Sequence, residues 1–189
     1  MLAAFAKSPI SVAMRTVYPK QSAGMLFNEM PAAYVEQLGA SRNYRLFFLL
    51  NGKVRLEGGE SGTRQVYGQR LVLLSPQCEI SCGAFEKSRY VAINCTELQS
   101  QHNRYYLEEL KRRIHSGQEV TFSTLPLHEK LKKLLSGFTA YANNEYQYAE
   151  IYDTVFVVLR LLYTHEEMAL LLSPILQDIT NKENELRNS

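Results

Sequence analysis

Apolar and polar positions follow two different rhythms along this chain, and the change falls near residue 100. Up to about residue 96 short runs rich in aliphatic and aromatic residues are separated by glycine and polar clusters, the signature of antiparallel strands. Tyr44 to Leu50 is the clearest strand, and Asn51-Gly52 after it suits the positive φ of a tight hairpin turn. Lys53 to Glu57 then returns with Val54 and Leu56 alternating against Lys53 and Arg55. Gly58, Gly59 and Gly62 mark a second turn, after which Arg64 to Tyr67 and Leu71 to Leu74 read as strands, stopped by Pro76. Glu79 to Gly83 and Arg89 to Cys95 are expected to pair, with Ile80, Cys82, Val91 and Ile93 on one inward face.

Beyond residue 101 the period is helical. Tyr105 to Ile114 predicts a helix, Phe122 to Pro126 interrupts, and a second helix follows Pro126. Its stripe is Leu127, Leu131, Leu134, Leu135, Phe138, Tyr141 and Ala142, opposite Lys130, Lys132 and Lys133, and Asn143-Asn144 ends it. Tyr148 to Tyr163 carries Tyr152, Val155, Phe156, Leu159, Leu162 and Tyr163 on one face and Val157, Val158 and Leu161 on the other, so both sides need cover. Thr164-His165-Glu166-Glu167 fits a capping box that opens a last helix. Pro174 is expected to limit that helix, leaving a polar, frayed stretch from Thr180 to Ser189.

Composition narrows the classes. With 189 residues, 46% hydrophobic and 21% charged, one compact folded unit is expected. A net charge of +2 lacks the basic excess of a phosphate-binding surface, so no direct DNA binding is expected. The short apolar start, interrupted by Ser8 and Pro9, does not make a secretory signal, and no run approaches the roughly 18 apolar residues of a membrane span. Cys78, Cys82 and Cys95 form no disulfide framework and read as buried thiols, which points to the cytoplasm.

Chemistry finds little to stand on. No phosphate-binding loop, dinucleotide fingerprint or zinc-protease motif occurs. A barrel of this kind could be a cupin, whose enzymes ring a metal with strand histidines, but His102, His115, His128 and His165 all lie in the helical half. Glu57, Glu60, Glu79 and Glu86 read as solvated turn carboxylates, and Lys111-Arg112-Arg113 as a solvated or dipole-facing helix end, with phosphate contact as the other reading. No catalytic residue, metal or cofactor is therefore expected. Leu46, Phe48, Ile80, Cys82, Val91 and Ile93 either line a small-molecule pocket or fill a core.

Tyr44 to Gly52, Val54-Arg55-Leu56 and Leu71 to Pro76 resemble the barrel strands of AraC-type bacterial regulators, especially those of Bacteroides-like bacteria. Thr124-Leu125-Pro126-Leu127, Phe156 to Tyr163, Thr164 to Ala169 and Ser173-Pro174-Ile175-Leu176 resemble the helical half of that subgroup segment by segment. The resemblance implies an α+β fold: an N-terminal cupin-like antiparallel barrel (double-stranded β-helix, jelly-roll) over 10–98, then a helical dimerisation subdomain over 101–180. It implies a small-molecule effector, a homodimer, and DNA contact only through a helix-turn-helix domain outside these 189 residues. Leu131, Leu134, Leu135, Phe138, Tyr152, Val155, Phe156 and Leu159 are the expected seam, with packing inside one chain as the alternative. The family's turn glycine is displaced to Gly68, with Gln69-Arg70 after it, and no histidine follows Pro76, so sugar recognition is not implied. A stand-alone binding protein and a metal-independent cupin enzyme are the rival readings.

Overall fold

The computed structural model describes residues 14–17, 25–38, 41–58, 63–76, 80–95, 100–113, 124–138 and 148–187. Expectations at Met1 to Ala13, Gly59, Glu60, Gly62, Cys78, Glu79, Ile114, His115, Phe122, Tyr141, Ala142 and Asn143-Asn144 lie outside these residues. The strands are β1 (Met14–Val17), β2 (Met25–Met30), β3 (Val35–Leu38), β4 (Arg45–Asn51), β5 (Lys53–Glu57), β6 (Thr63–Tyr67), β7 (Arg70–Leu74), β8 (Ile80–Ala84), β9 (Ser88–Asn94) and β10 (Thr124–Pro126). The helices are α1 (Gln101–Arg113), α2 (Glu129–Phe138), α3 (Tyr148–Leu162) and α4 (His165–Arg187).

Two five-stranded sheets result, ordered β1-β3-β8-β5-β6 and β10-β7-β4-β9-β2. Within β2 to β9 the first strand pairs with the last and the second with the last but one, and successive strands mostly alternate between sheets. That is the double winding of a jelly roll, the architecture of cupins. Two short strands extend it. β10 adds to β7 antiparallel, with Pro126 on an edge where its missing N–H costs no ladder bond. β1 runs parallel to β3, so the barrel is not antiparallel throughout.

The winding corrects two expected pairings. Asn51-Gly52 does not close a hairpin, because β4 and β5 lie in different sheets. Gly52, at φ +95°, instead turns the chain across the end of the sandwich, where a Cβ would meet the Ser88 Cα at 2.7 Å. A positive φ suits a sheet-crossing corner as well as a hairpin. β8 and β9 likewise belong to opposite sheets, whereas β5 and β6, on either side of the expected second turn, pair antiparallel.

Two apolar cores follow. Inside the sandwich Phe47, Leu49, Val72, Leu74, Tyr90 and Ala92 of one sheet meet Leu38, Val54, Leu56, Ile80, Cys82 and Ala84 of the other. The opposite face of β7, β4 and β9, carrying Leu46, Phe48, Leu50, Leu71, Leu73, Val91 and Ile93, is covered by the helices. Hence Ile80 and Cys82 do not share a face with Val91 and Ile93. The middle sheet is buried on both sides, which explains why β4 reads as an unbroken apolar run.

The helical half is set by local chemistry. Thr164 and Glu167 bond reciprocally, Thr164 N donating to Glu167 Oε2 at 2.8 Å and Glu167 N to Thr164 Oγ1 at 3.2 Å, which opens α4 as expected. Pro174 does not end α4, which spans 23 residues to Arg187 and so runs into the stretch expected to fray. The Leu170 carbonyl, left without the residue-174 N–H, accepts from Ser173 Oγ at 3.0 Å. Asn103 on α1, fully buried, donates to Asp153 of α3 at 3.2 Å and accepts from Arg160 at 3.0 Å, clamping the two helices together. Among the described residues no helix is long and apolar enough to cross a membrane.

Candidate functional site

A cavity of about 310 Å3 lies between the helix-facing side of the middle sheet and α1, α3 and α4. Helical and strand spacing place its walls. Tyr44 and Leu46 share one face of β4 and its approach, and Cys95 follows β9, held there by its N–H donating to the Tyr44 carbonyl at 2.7 Å. From α1 come Arg104, Leu107 and Glu108, from α3 Tyr152 and Phe156 one turn apart, and from α4 Leu172, Ile175 and Ile179. Leu46, Tyr152, Phe156 and Leu172 are buried and form the floor, while Arg104 and Glu108 are exposed at the rim.

The wall residue Tyr44 donates its OH to Asp178 Oδ2 of α4 at 2.7 Å, tying the sheet side to the helix. Desolvation pushes the Cys95 thiol up to about 12, with bonds from Tyr152 and the Leu46 backbone offsetting part of the rise. It is therefore a neutral, soft wall at physiological pH. An apolar chamber with charge only at its rim suits a mainly apolar molecule with one polar end. At roughly 30 Å3 per water-sized group, this volume corresponds to about ten such groups.

A second polar feature sits inside the sandwich. Glu36, wholly buried, accepts on Oε2 from both Asn28 Nδ2 and Tyr90 OH, while its Oε1 has no partner. Burial and the Glu36 carboxyl push the Tyr90 phenol far above its ordinary range, and burial pushes up Cys82. Among the described residues no three histidine, cysteine, aspartate or glutamate side chains gather to hold a metal.

Only Leu46 of the six expected pocket residues lines the cavity. Phe48, Val91 and Ile93 lie elsewhere in the helix-covered core, and Ile80 and Cys82 lie in the barrel core. Of the eight expected seam residues, Leu131, Leu135, Tyr152, Val155, Phe156 and Leu159 are buried within the chain, with Leu134 and Phe138 packed beside them. The α3 residues Ile151, Tyr152, Val155, Phe156 and Leu159 together bury apolar area worth of order 10 kcal/mol. That face is committed to its own chain, and Tyr152 and Phe156 are pocket walls. Sequence reasoning missed Tyr44, Arg104, Leu107, Glu108, Leu172, Ile175 and Ile179. The i, i+3, i+7 spacing of the last three was the available signal, hidden by ending the helix at Pro174.

No family model and no curated protein matches the sequence. Solved structures do. ToxT from Vibrio cholerae is 13% identical over 84% of this chain and 57% of its own, with a TM-score of 0.45. The cupin domain of Cnp3 from Schizosaccharomyces pombe is 19% identical over 50% of this chain and 65% of its own, at 0.32. YcfD, a ribosomal oxygenase from Escherichia coli, is 11% identical over 70% of this chain and 40% of its own, at 0.34. The chain thus spans a little over half the length of ToxT. These likenesses concern the fold and carry no functional weight.

Proposed function

We propose that this chain is the small-molecule-sensing, self-associating domain of an AraC-type transcription regulator. The observation that carries the reading is the apolar cavity between jelly roll and helices, about 310 Å3 with charge confined to its rim. Its ligand is a mainly apolar small molecule whose polar end lies beside Arg104 and Glu108. The segment-by-segment resemblance of residues 124–176 to AraC-type regulators supports the regulatory role. DNA is reached through a separate helix-turn-helix domain, and a net charge of +2 supports that division. The free thiols of Cys82 and Cys95 support a cytoplasmic setting.

Self-association uses the outer face of α3 in place of the expected seam. Val157 and Leu161, one turn apart, are 39% and 78% exposed, and Leu170 of α4 is 41% exposed. A second copy of this chain would bury them.

The domain is not an enzyme in this reading. Convergence of Glu36, Tyr90 and Asn28 favours the rival cupin-enzyme reading, but Glu36 and Tyr90 are 0% exposed, so a substrate has no access to them in this conformation.

Binding of the dye anilinonaphthalene sulfonate tests the sensing role. The dye should bind one per chain and brighten, and Leu107→Trp, which fills the chamber from α1, should abolish that signal without unfolding the protein. Equal binding by Leu107→Trp, or none by the wild type, sinks the reading.

A further inference from the structure

The two sheets differ in what lies on their outer faces. Helices pack on the outside of β7, β4 and β9, whereas on the outside of β3, β8, β5 and β6 the alternate positions are half-buried or exposed. A solvated sheet face of this kind normally carries polar side chains. Here Lys53 pairs with Tyr67 in register, and Phe85 N–H donates to the Lys53 carbonyl at 2.9 Å, which sets the three residues in one row across the strands. Phe85 and Tyr67 are 48% and 62% exposed. The Lys53 ammonium lies 4.9 Å from the Phe85 ring centre and 5.9 Å from that of Tyr67, and it has no carboxylate partner among the described residues. The next row places Gly83 between Val35 and Arg55. Nothing in the fold calls for glycine there. Its φ is not positive, it pairs on both sides without a register shift, and a Cβ would meet only Val35 Cγ2 at 3.6 Å and the Arg55 carbonyl at 3.9 Å, ordinary contact distances. Glycine weakens a strand interior, and where no bulge or crowded backbone explains it, it marks the close approach of a ligand.

We propose that this face binds an acidic saccharide, its sugar rings lying over Phe85, Tyr67 and the dip at Gly83, with its carboxylate on Lys53. Exposed aromatic rings offer flat apolar surface to the C–H face of a sugar. Neutral groups for its hydroxyls follow along the same face, where Gln37 donates to Ser81 at 2.9 Å and Gln65 is exposed on β6. Charge sets the sign of the ligand. Arg55 is paired with Glu57 at 2.9 Å, so Lys53 carries the net positive charge of these rows and fits one carboxylate. A nucleic acid strand, with a phosphate on every link, calls for more cations than one. Phe85 and Tyr67 stand two strand spacings apart, about 10 Å, which spans two linked sugar rings. The site lies across the barrel from the cavity and does not depend on the sensing role given to that cavity.

Titration of the full chain with digalacturonic acid, followed by amide NMR shifts and calorimetry, tests the site. One disaccharide should bind per chain and shift the amides of Lys53, Gly83 and Phe85. Its neutral dimethyl ester should bind about tenfold more weakly, the scale of one charged hydrogen bond, and Lys53→Gln should erase that preference. Gly83→Thr sets a β-branched side chain in the dip, so it should abolish binding while melting at or above the wild-type temperature. Tyr67→Ala should weaken binding of acid and ester alike. No binding by the wild type, equal binding of acid and ester, or undiminished binding by Gly83→Thr overturns the proposal, and a Gly83→Thr protein that melts well below wild type removes the argument from glycine. Tighter, Lys53-dependent binding of oligothymidylate would give the face to nucleic acid, and a dimer lost in Tyr67→Ala would give it to a second copy. Dye binding in the cavity should be the same in all three variants, so failure here leaves the sensing role standing.

Discussion

Replacing Gly52 by alanine tests the sheet-crossing corner. Gly52 has φ +95°, and a Cβ there would lie 2.2 Å from Ser88 Oγ, 2.7 Å from Ser88 Cβ and 2.7 Å from Ser88 Cα. The hydroxyl could rotate away, but the Cα is backbone of β9 and cannot move without disturbing the pairing of Ser88 with Met30 of β2. Ser88 is wholly buried, and its Oγ ties the corner by bonding Lys53 N at 3.2 Å and the Glu86 carbonyl at 2.8 Å. A left-handed φ costs an alanine about 1–2 kcal/mol, and forcing atoms into a packed site adds about 1–3 kcal/mol. The expected loss is about 3–5 kcal/mol, a large part of the 5–15 kcal/mol typical of a domain. Gly68 supplies the control: its φ is +73°, yet nothing lies within 4 Å of a Cβ built there, so Gly68→Ala should cost only the conformational part. Urea unfolding followed by circular dichroism gives both values, and thermal melts should separate the variants by roughly 5–10 °C. Equal losses in the two variants would refute the close approach at Ser88 and with it the corner.

Three further outcomes are expected. The Cys95 thiol has an ordinary value of 9.0 and is pushed up to about 12 by desolvation, so below pH 9 its contribution to stability is full, and it is lost as pH rises toward 12 because the unfolded chain gives up its proton first. Cys95→Ala should therefore flatten part of the fall in urea midpoint across that window, and an equally steep fall in the variant would contradict the assignment. Asn103→Ala strips the bonds to Asp153 and Arg160 and should cost about 2 kcal/mol in urea unfolding, whereas a loss under about 0.5 kcal/mol would show that the clamp contributes nothing net. Leu161→Lys should shift the purified chain to monomer in light scattering at micromolar concentration, with its melting temperature in dilute solution unchanged; an undiminished dimer would remove α3's outer face from the seam.

The element types were legible because each rests on local chemistry. Alternation in Lys53 to Glu57, the Thr164 capping box and the stripe of Tyr148 to Tyr163 all describe what one element does with its own side chains. Pairing was not legible, since Asn51-Gly52 allows a corner as readily as a hairpin and nothing nearby says which sheet β5 joins. Face assignment failed for a related reason: Leu46 to Leu50 of β4 and Tyr90 to Ile93 of β9 are unbroken runs of aromatic and aliphatic residues, so periodicity cannot tell Phe47, which points into the barrel, from Phe48, which meets the helices. The site inherited both failures, being built from residues 44 and 179 at opposite ends of the described core. Glu36 went unremarked because a lone carboxylate in a short strand looks solvated until Asn28 and Tyr90 are brought to it.

Strand β4 is a party wall between two rooms. Its odd-numbered residues, Phe47 and Leu49, furnish the sealed barrel, and its even-numbered ones, Leu46, Phe48 and Leu50, furnish the side where the chamber lies. Mutation at Leu46, the position of this strand that lines the chamber, can retune what the chamber accepts while the packing inside the barrel is left alone. A barrel divided in this way could acquire new chemical tastes over evolutionary time without relearning how to fold.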